Sequence, residues 1–155
     1  MSPANASELA KTLTSAKAFS AKVNAQTQAR HFDKIGRAGN NNTSFYMLGW
    51  IPNGYDALDI LMNVMTPAGH GPGRGEWNSG RYDNARVTAL TDAIKTETDQ
   101  KRRNELIREA FKIHQDEVGH IPLHQQALAW GVRDTVAKIW QRPFDDVDLR
   151  YVTMK

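Results

Sequence analysis

The stretch from Ser44 to Asp56, with the sequence SFYMLGWIPNGYD, is first apolar and then polar, and it leads into a helix. Its first half is apolar and predicts a strand that ends at Gly49-Trp50, and its second half is a polar turn. Asp56 then precedes a predicted helix over residues 57 to about 65. A strand end, an aromatic side chain and a helix N-terminus that meet at one point are typical of a small-ligand site in an α/β domain. The stretch therefore predicts both an α/β fold and the position of a binding site.

Length and composition limit the class of protein. A chain of 155 residues suits one domain with a sizeable core, and 40% hydrophobic with 24% charged residues is ordinary for a globular protein. No apolar run is long enough to cross a bilayer, and the first residues, MSPAN, lack the regions of a signal peptide. The sequence has no cysteine, which excludes disulfides, Fe–S ligation and thiol catalysis.

The charge pattern argues against nucleic-acid binding. The formal net charge is only +3, and the one basic cluster, Lys101-Arg102-Arg103, has acidic residues such as Glu105 close by. These spacings allow ion pairs on a solvated helix face, and no aromatic residues alternate with the basic ones. We therefore expect no nucleic-acid partner.

Periodicity predicts further elements on both sides of the opening stretch. Residues 7–19 and 30–38 have helical spacing, and residues 22–28 are compatible with a short strand. Two stronger helices are predicted from Asn84 to Thr96 and from an N-cap at Asp99 to about Val118, with Gly119 as the C-cap residue. Residues 121–130 are predicted to be extended. The predicted fold is a mixed sheet flanked by helices.

Three histidines, His114, His120 and His124, raise the question of a metal site. They do not share one helical face, and a closed zinc site would need a further ligand from elsewhere. The packing interpretation is favoured, in which His114 lies near a helix end where a cation suits the dipole. Neither a metal nor a cofactor is predicted.

No arrangement typical of an enzyme stands out. No serine or threonine lies in a nucleophile elbow, and Asp56 and Asp59 are better explained by their position at a helix start than as an acid/base pair. The glycine-rich residues 69–75 lack the ending of a phosphate-binding loop. Trp50 at a strand end, and Trp77 in a polar loop with little apolar company, are instead candidates for the wall of a ligand site.

Several landmarks, taken in order, carry a family resemblance. They are Gly49-Trp50, Asp56, the segment NSGRYDN at 78–84 with Val87 and Leu90, Thr98-Asp99 followed by Arg103, and Ile121-Pro122-Leu123. Over roughly residues 20 to 140, this order and spacing resemble the extracellular solute-binding proteins of family 5, the oligopeptide, dipeptide and nickel receptors of ABC importers. Because members of that family are several times larger, the resemblance implies that the chain corresponds to a C-terminal portion.

The family resemblance implies a fold and a function. The fold is that of a type II periplasmic binding protein, with two α/β lobes that close around a solute. Residues 1–120 correspond to the last part of the second lobe, and residues 121–155 to a hinge or crossover segment that returns to the first lobe. The implied function is capture of a peptide-like or other small solute for ABC permease subunits, at the periplasmic or outer face of a bacterial inner membrane.

The resemblance also assigns roles to single residues. In peptide-binding relatives the tryptophan of the Gly-Trp pair lines the pocket, which implies that Trp50 is an apolar wall. An acidic residue three positions later holds the peptide ammonium group, and here that position is the neutral Asn53, expected to form hydrogen bonds at the rim. Tyr55, Asp56 and Trp77 complete the predicted ligand-binding set.

A second interpretation remains open, in which the chain is a protein-interaction module that binds no small molecule.

As a portion of the larger receptor that the resemblance implies, the chain is expected to expose sheet edge and apolar side chains at Leu123, Leu128, Trp130 and Ile139. We therefore predict a homodimer that forms by exchange of the C-terminal segment.

Overall fold

The computed structural model describes residues 22–36, 45–69, 71–125, 127–142 and 144–155, with Lys11 and Thr43. Helices α1 (Gln28–Ile35), α2 (Leu58–Asn63), α3 (Ala85–Thr96) and α4 (Gln100–Asp116) come first. The strands follow as β1 (Val136–Lys138), β2 (Gln141–Arg142), β3 (Asp146–Val147) and β4 (Thr153–Met154), with a 3-10 turn at Leu149–Tyr151. The helix predicted over residues 7–19 lies almost wholly outside the described part. In that part, no helix is both long and apolar enough to cross a membrane.

Side-chain caps fix where α3 and α4 begin, and the cap at Asp99 is the one that the sequence predicts. Oδ1 of Asn84 accepts the backbone N–H groups of Arg86 and Val87 at 2.9 and 3.0 Å. Oδ1 of Asp99 accepts the N–H of Arg102 at 2.7 Å. Because first-turn N–H groups have no partner within the helix, these caps stabilise each start by about 1 kcal/mol.

The core lies between α2, α3 and α4. Its buried members are Leu61, Val64, Met65, Leu90, Ile94, Leu106 and Ala110. On α3 and α4 they recur at a spacing of four residues, which puts them on one face of each helix. Trp50 and Trp77 are half-buried and pack against the edge of this core.

The end of α4 differs from the prediction, because Val118 and not Gly119 takes the left-handed conformation. Val118 has a φ of 53°, which strains a β-branched residue by about 1–2 kcal/mol. The N–H of Gly119 closes the turn by donating to the carbonyl of His114 at 3.0 Å. Gly119 has a different role, since a Cβ there would lie 2.6 Å from Nε2 of His114.

The described residues combine helices with small antiparallel sheets, which is loosely the predicted α/β class, but the predicted mixed sheet is wrong for them. β1 pairs with β4 and β2 with β3, and both pairs are antiparallel. No strand forms among the described residues of 22–28, 44–49 or 121–130, and α1 begins at Gln28. The carbonyl oxygen of Met47 is bonded to a side chain and not to a neighbouring strand, since Nε2 of His31 lies 3.0 Å from it.

The segment after α4 carries exposed apolar side chains. Leu123 and Trp130, predicted to be exposed, have 44% and 43% of their surface accessible, and Ile121 and Val132 are also exposed. Leu128 and Ile139, predicted to be exposed as well, are half-buried instead. The predicted homodimer stays a prediction.

Candidate functional site

Three aromatic side chains from different parts of the chain, Phe32, Trp50 and Trp77, meet at the edge of the core and are called the aromatic cluster below. The rings of Trp50 and Trp77 are 6.4 Å apart and tilted by 60°. Phe32 of α1 meets Trp77 edge-on, at 5.7 Å and 74°. These are favourable arrangements for aromatic pairs. Trp77 thus has little apolar company in its loop sequence but aromatic neighbours in the fold.

The Trp50 ring is held in place by helix α2. Its Nε1–H donates to Oδ2 of Asp59 at 2.9 Å. Asp59 is predicted only to interact with the helix start, but it also orients the indole. Its Oδ1 accepts a hydrogen bond from the Asn63 amide at 3.3 Å. Because the only polar atom of the ring is already paired, what Trp50 offers to a ligand is an apolar face.

The loop that carries Trp77 is tied to the end of α2 by its backbone. The N–H of Gly75 donates to the carbonyl of Met62 at 2.8 Å, and the N–H of Trp77 to that of Asn63 at 3.0 Å. The last carbonyls of a helix have no partner within it, so these bonds satisfy them. They also fix the position of Trp77 relative to α2.

The buried side chain of Asn78 closes the same loop. Its Nδ2 donates to the carbonyls of Thr66 and Tyr82 at 3.0 and 2.7 Å, and its Oδ1 accepts the N–H of Tyr82 at 2.9 Å. Only 2% of its surface is exposed. The loop next to Trp77 is therefore a fixed structure, although the sequence predicts only a polar loop there.

Tyr55 and Asn53, two other predicted site residues, are exposed. Tyr55 is 82% accessible, and its ring lies 4.5 Å from that of Phe144, so it contacts the C-terminal segment rather than the aromatic cluster. The Asn53 side chain has no hydrogen bond to another described residue and is available to a ligand.

Asp56, the fifth predicted residue, is already paired. Its carboxylate accepts the N–H of Leu58 at 2.9 Å and both oxygens bind Nη2 of Arg103, at 2.9 and 3.0 Å. Burial alone would raise the pKa of Asp56, but the bonds from Leu58 and Arg103 outweigh it and lower the pKa. The structure therefore brings Trp50 and Trp77 together, and uses the charge of Asp56 within the fold.

A separate hollow of about 400 Å³ lies in the C-terminal segment, and none of the five predicted residues lines it. Its lining residues are Trp140, Gln141, Arg142, Asp148 and Tyr151. Asp148 accepts hydrogen bonds from Arg150, at 2.7 Å to Nη2, and from Arg142, and these bonds lower its pKa. Sequence reasoning missed the hollow because it exists only where the turn after β2 brings residues 140–142 beside residues 148–151.

The histidines differ from the prediction in one respect. His114 is not a cation at the helix end: it is buried, and burial lowers its pKa to about 4. Among the described residues no group of three His, Cys, Asp or Glu side chains is placed to hold a metal ion.

Comparison of the chain with models of known protein families, with characterised proteins and with solved structures finds no match. The chemistry that the site can offer is that of its own residues. It offers the apolar faces of two indoles, held by α2 and by the loop after it, and an exposed amide nearby in sequence. Such groups bind solutes through apolar contact and hydrogen bonds.

Proposed function

We propose that the chain is the C-terminal portion of the substrate-binding component of an ABC-type importer. This component captures a peptide-like or other small solute for uptake. In this proposal it belongs to family 5 of the extracellular solute-binding proteins and has the α/β fold of a type II periplasmic binding protein lobe. It acts at the periplasmic or outer face of a bacterial inner membrane, and its partners are the solute and the permease subunits.

The observation that carries the proposal is the contact between Trp50 and Trp77, 6.4 Å apart at the edge of the core. Both rings are half-buried and both are anchored, Trp50 through Asp59 and Trp77 through its backbone N–H. A rigid aromatic surface of this kind binds apolar side chains with little loss of conformational entropy. Two residues that carry the family resemblance, Asp56 and Arg103, also form an ion pair. This contact adds support to the proposal.

The charges around this aromatic surface limit the kinds of solute that it can bind. A buried ammonium group needs a charged partner. Asp56, the acidic residue nearest in sequence to Asn53, is paired with Arg103, and the carboxylate of Asp59 is bonded to the Trp50 indole and the Asn63 amide. Asn53 offers only a neutral amide. In the proposal, Trp50 and Trp77 therefore hold an apolar part of the solute, Asn53 binds a polar group at the rim, and a free N-terminus is not what the site selects.

Capture is completed by closure of the two lobes. The hinge lies near residues 121–126, and closure is driven by the better contacts that the solute makes in the closed state. In the proposal, Tyr55 lies where the second lobe, residues 1–120, meets the crossover segment, residues 121–155, because its ring contacts that of Phe144. The energy for transport comes from the partner ATPase.

Native mass spectrometry with a pool of short peptides as the probe tests this proposal. We expect peptide adducts on the chain, and we expect Trp50→Ala to weaken them about tenfold or more, the loss typical of a central tryptophan contact. Trp140→Ala is the matched control, since this exposed tryptophan lies outside the aromatic cluster. Absence of adducts, or equal weakening in both variants, would contradict the proposal.

A second candidate function, a protein-interaction module, is favoured by one observation. Residues 121–132 contain no Asp, Glu, Lys or Arg, and four of their large apolar side chains are exposed: Ile121, Leu123, Trp130 and Val132. Apolar surface of this kind marks a contact with another protein. The same spectra separate the two candidates, because a homodimer without peptide adducts supports the interaction module.

A further inference from the structure

His114 and His120 form a hydrogen-bonded pair at the point where the chain leaves α4. Nε2 of His114 and Nδ1 of His120 are 2.8 Å apart, and the rings stack at 5.0 Å with an angle of 17°. Only 4% of the surface of His114 is exposed. The bond needs a hydrogen on one of the two facing nitrogens and a lone pair on the other. It can therefore exist only while at least one ring is unprotonated at its facing nitrogen.

The surroundings fix His114 from two sides. The ring of Tyr82 packs edge-on against it at 4.7 Å, and the Tyr82 hydroxyl donates to Glu117 at 2.7 Å. The Asn84 amide donates to the other oxygen of Glu117, also at 2.7 Å. The titratable groups that face His114 are thus Tyr82 from the segment before α3, Glu117 from the end of α4, and His120.

The pair lies directly before the exposed segment. Gly119 brings the chain back over the His114 ring, and no hydrogen bond joins the described residues of 121–132 to another described residue. Ile121 and Pro122 follow at once and are exposed. The hydrogen bond between the two imidazoles is therefore the last one among the described residues before this segment leaves the helices.

We propose that His114 and His120 form an acid-sensitive latch that holds residues 121–125 in their direction relative to α4. The first proton can enter at a nitrogen outside the pair and leaves the bond intact. A second proton puts a hydrogen on both facing nitrogens, so that two cations stand face to face without a lone pair between them. The bond then breaks and the segment is released. This latch acts whatever solute the chain binds.

The electrostatics of the site support opening at acid pH. Burial, and then the charge of a protonated His120, lower the pKa of His114 from 6.5 to about 4, although Glu117 raises it. Burial also lowers the pKa of His120. The unfolded chain therefore binds more protons than the folded one between about pH 4 and 6.5. The contribution of His114 to folding is complete above this window and is lost as the pH falls through it.

NMR spectroscopy of the whole chain tests the latch. The titration follows both histidine rings and the heteronuclear NOE of residues 119–125 from about pH 7.5 down to about 3.5, a range that spans the expected protonation of the pair. We expect the NOE of these residues to fall together with the second protonation step, while the amides of α3 keep high values. A flat NOE while both rings become protonated would overturn the proposal. So would a simultaneous loss of the NOE in α3, because that indicates unfolding of the whole chain.

Three variants sharpen the test. The double variant His114→Gln with His120→Asn places amides near the facing nitrogens, which retains a hydrogen bond that cannot be protonated, so its NOE should not depend on pH. His124→Asn, in the exposed part of the segment, is the matched control and should behave like the unchanged chain. Gly119→Ala should separate the rings and lower the NOE already at neutral pH. A pH-dependent fall in the double variant equal to that of the unchanged chain would contradict the latch.

Discussion

Replacing Gly75 by alanine is expected to destabilise the protein by about 3 kcal/mol or more. Gly75 has a φ of 63°, and its added Cβ would lie 2.4 Å from the backbone nitrogen of Ala68 and 2.5 Å from the carbonyl carbon of Pro67. Backbone atoms cannot swing aside as a flexible side chain does. The loop must therefore move, and the hydrogen bond from Gly75 to Met62 is lost with it. Chemical denaturation measures the change in the free energy of unfolding.

Gly73→Ala provides the matched control in the same loop. Gly73 also has a positive φ, 73°, but nothing lies within 4 Å of its added Cβ. It should therefore show only the left-handed strain of about 1–2 kcal/mol. Equal losses of stability in the two variants would show that the close approach of the backbone at Gly75 does not matter.

The second large effect is expected for Asn78→Ala, with a loss of about 3 kcal/mol. The substitution leaves three backbone groups without their partner: the carbonyls of Thr66 and Tyr82 and the N–H of Tyr82. Because Asn78 is buried, water cannot replace the amide without rearrangement of the loop. The melting temperature and the denaturation midpoint should both fall.

Asn104→Ala is the control for this substitution. Asn104 is exposed on α4, and its side chain accepts only a surface hydrogen bond from Gln100. Its replacement should change the stability by no more than about 0.5 kcal/mol. If Asn78→Ala were equally mild, the view of the loop as a fixed support for Trp77 would be wrong.

Gly75 and Asn78 belong to the same support of Trp77. Gly75 and Asn78 flank Trp77 and attach its loop to the end of α2, the helix whose Asp59 orients Trp50. The aromatic surface is thus set by the fold before a solute arrives. A preorganised surface loses less entropy on binding than a flexible one, which is why the stability of this loop bears on the proposed function.

The helices could be predicted where their signals are local. Asn84 and Asp99 cap α3 and α4 through bonds to N–H groups two or three residues away, and the apolar residues of both helices repeat within a few turns. The predicted strand at 44–49 is wrong over its described residues, 45–49, because an apolar run cannot reveal whether a partner strand exists. There the carbonyl of Met47 is approached by the side chain of His31 instead.

The candidate site could be predicted only in part. Their own surroundings in the sequence identify Trp50 and Trp77 as candidates, but their contact depends on how α2 and the following loop fold back. The state of His114 could not be read from its position on α4, because its burial comes from Tyr82 and from the close passage of Gly119. Periodicity shows which face of a helix is apolar, but it does not show which residues pack against that face.

The indole N–H resonances of the four tryptophans allow the most direct test of solute capture. A pool of short peptides is added to ¹⁵N-labelled protein, and each resonance is followed, a readout that detects even weak binding. The account predicts that the signals of Trp50 and Trp77 shift in a saturable way, that N-acetylated peptides act as well as free ones, and that the signal of Trp140 stays in place. Peptides that leave Trp50 and Trp77 unchanged, or that shift only Trp130 and Trp140, would contradict it.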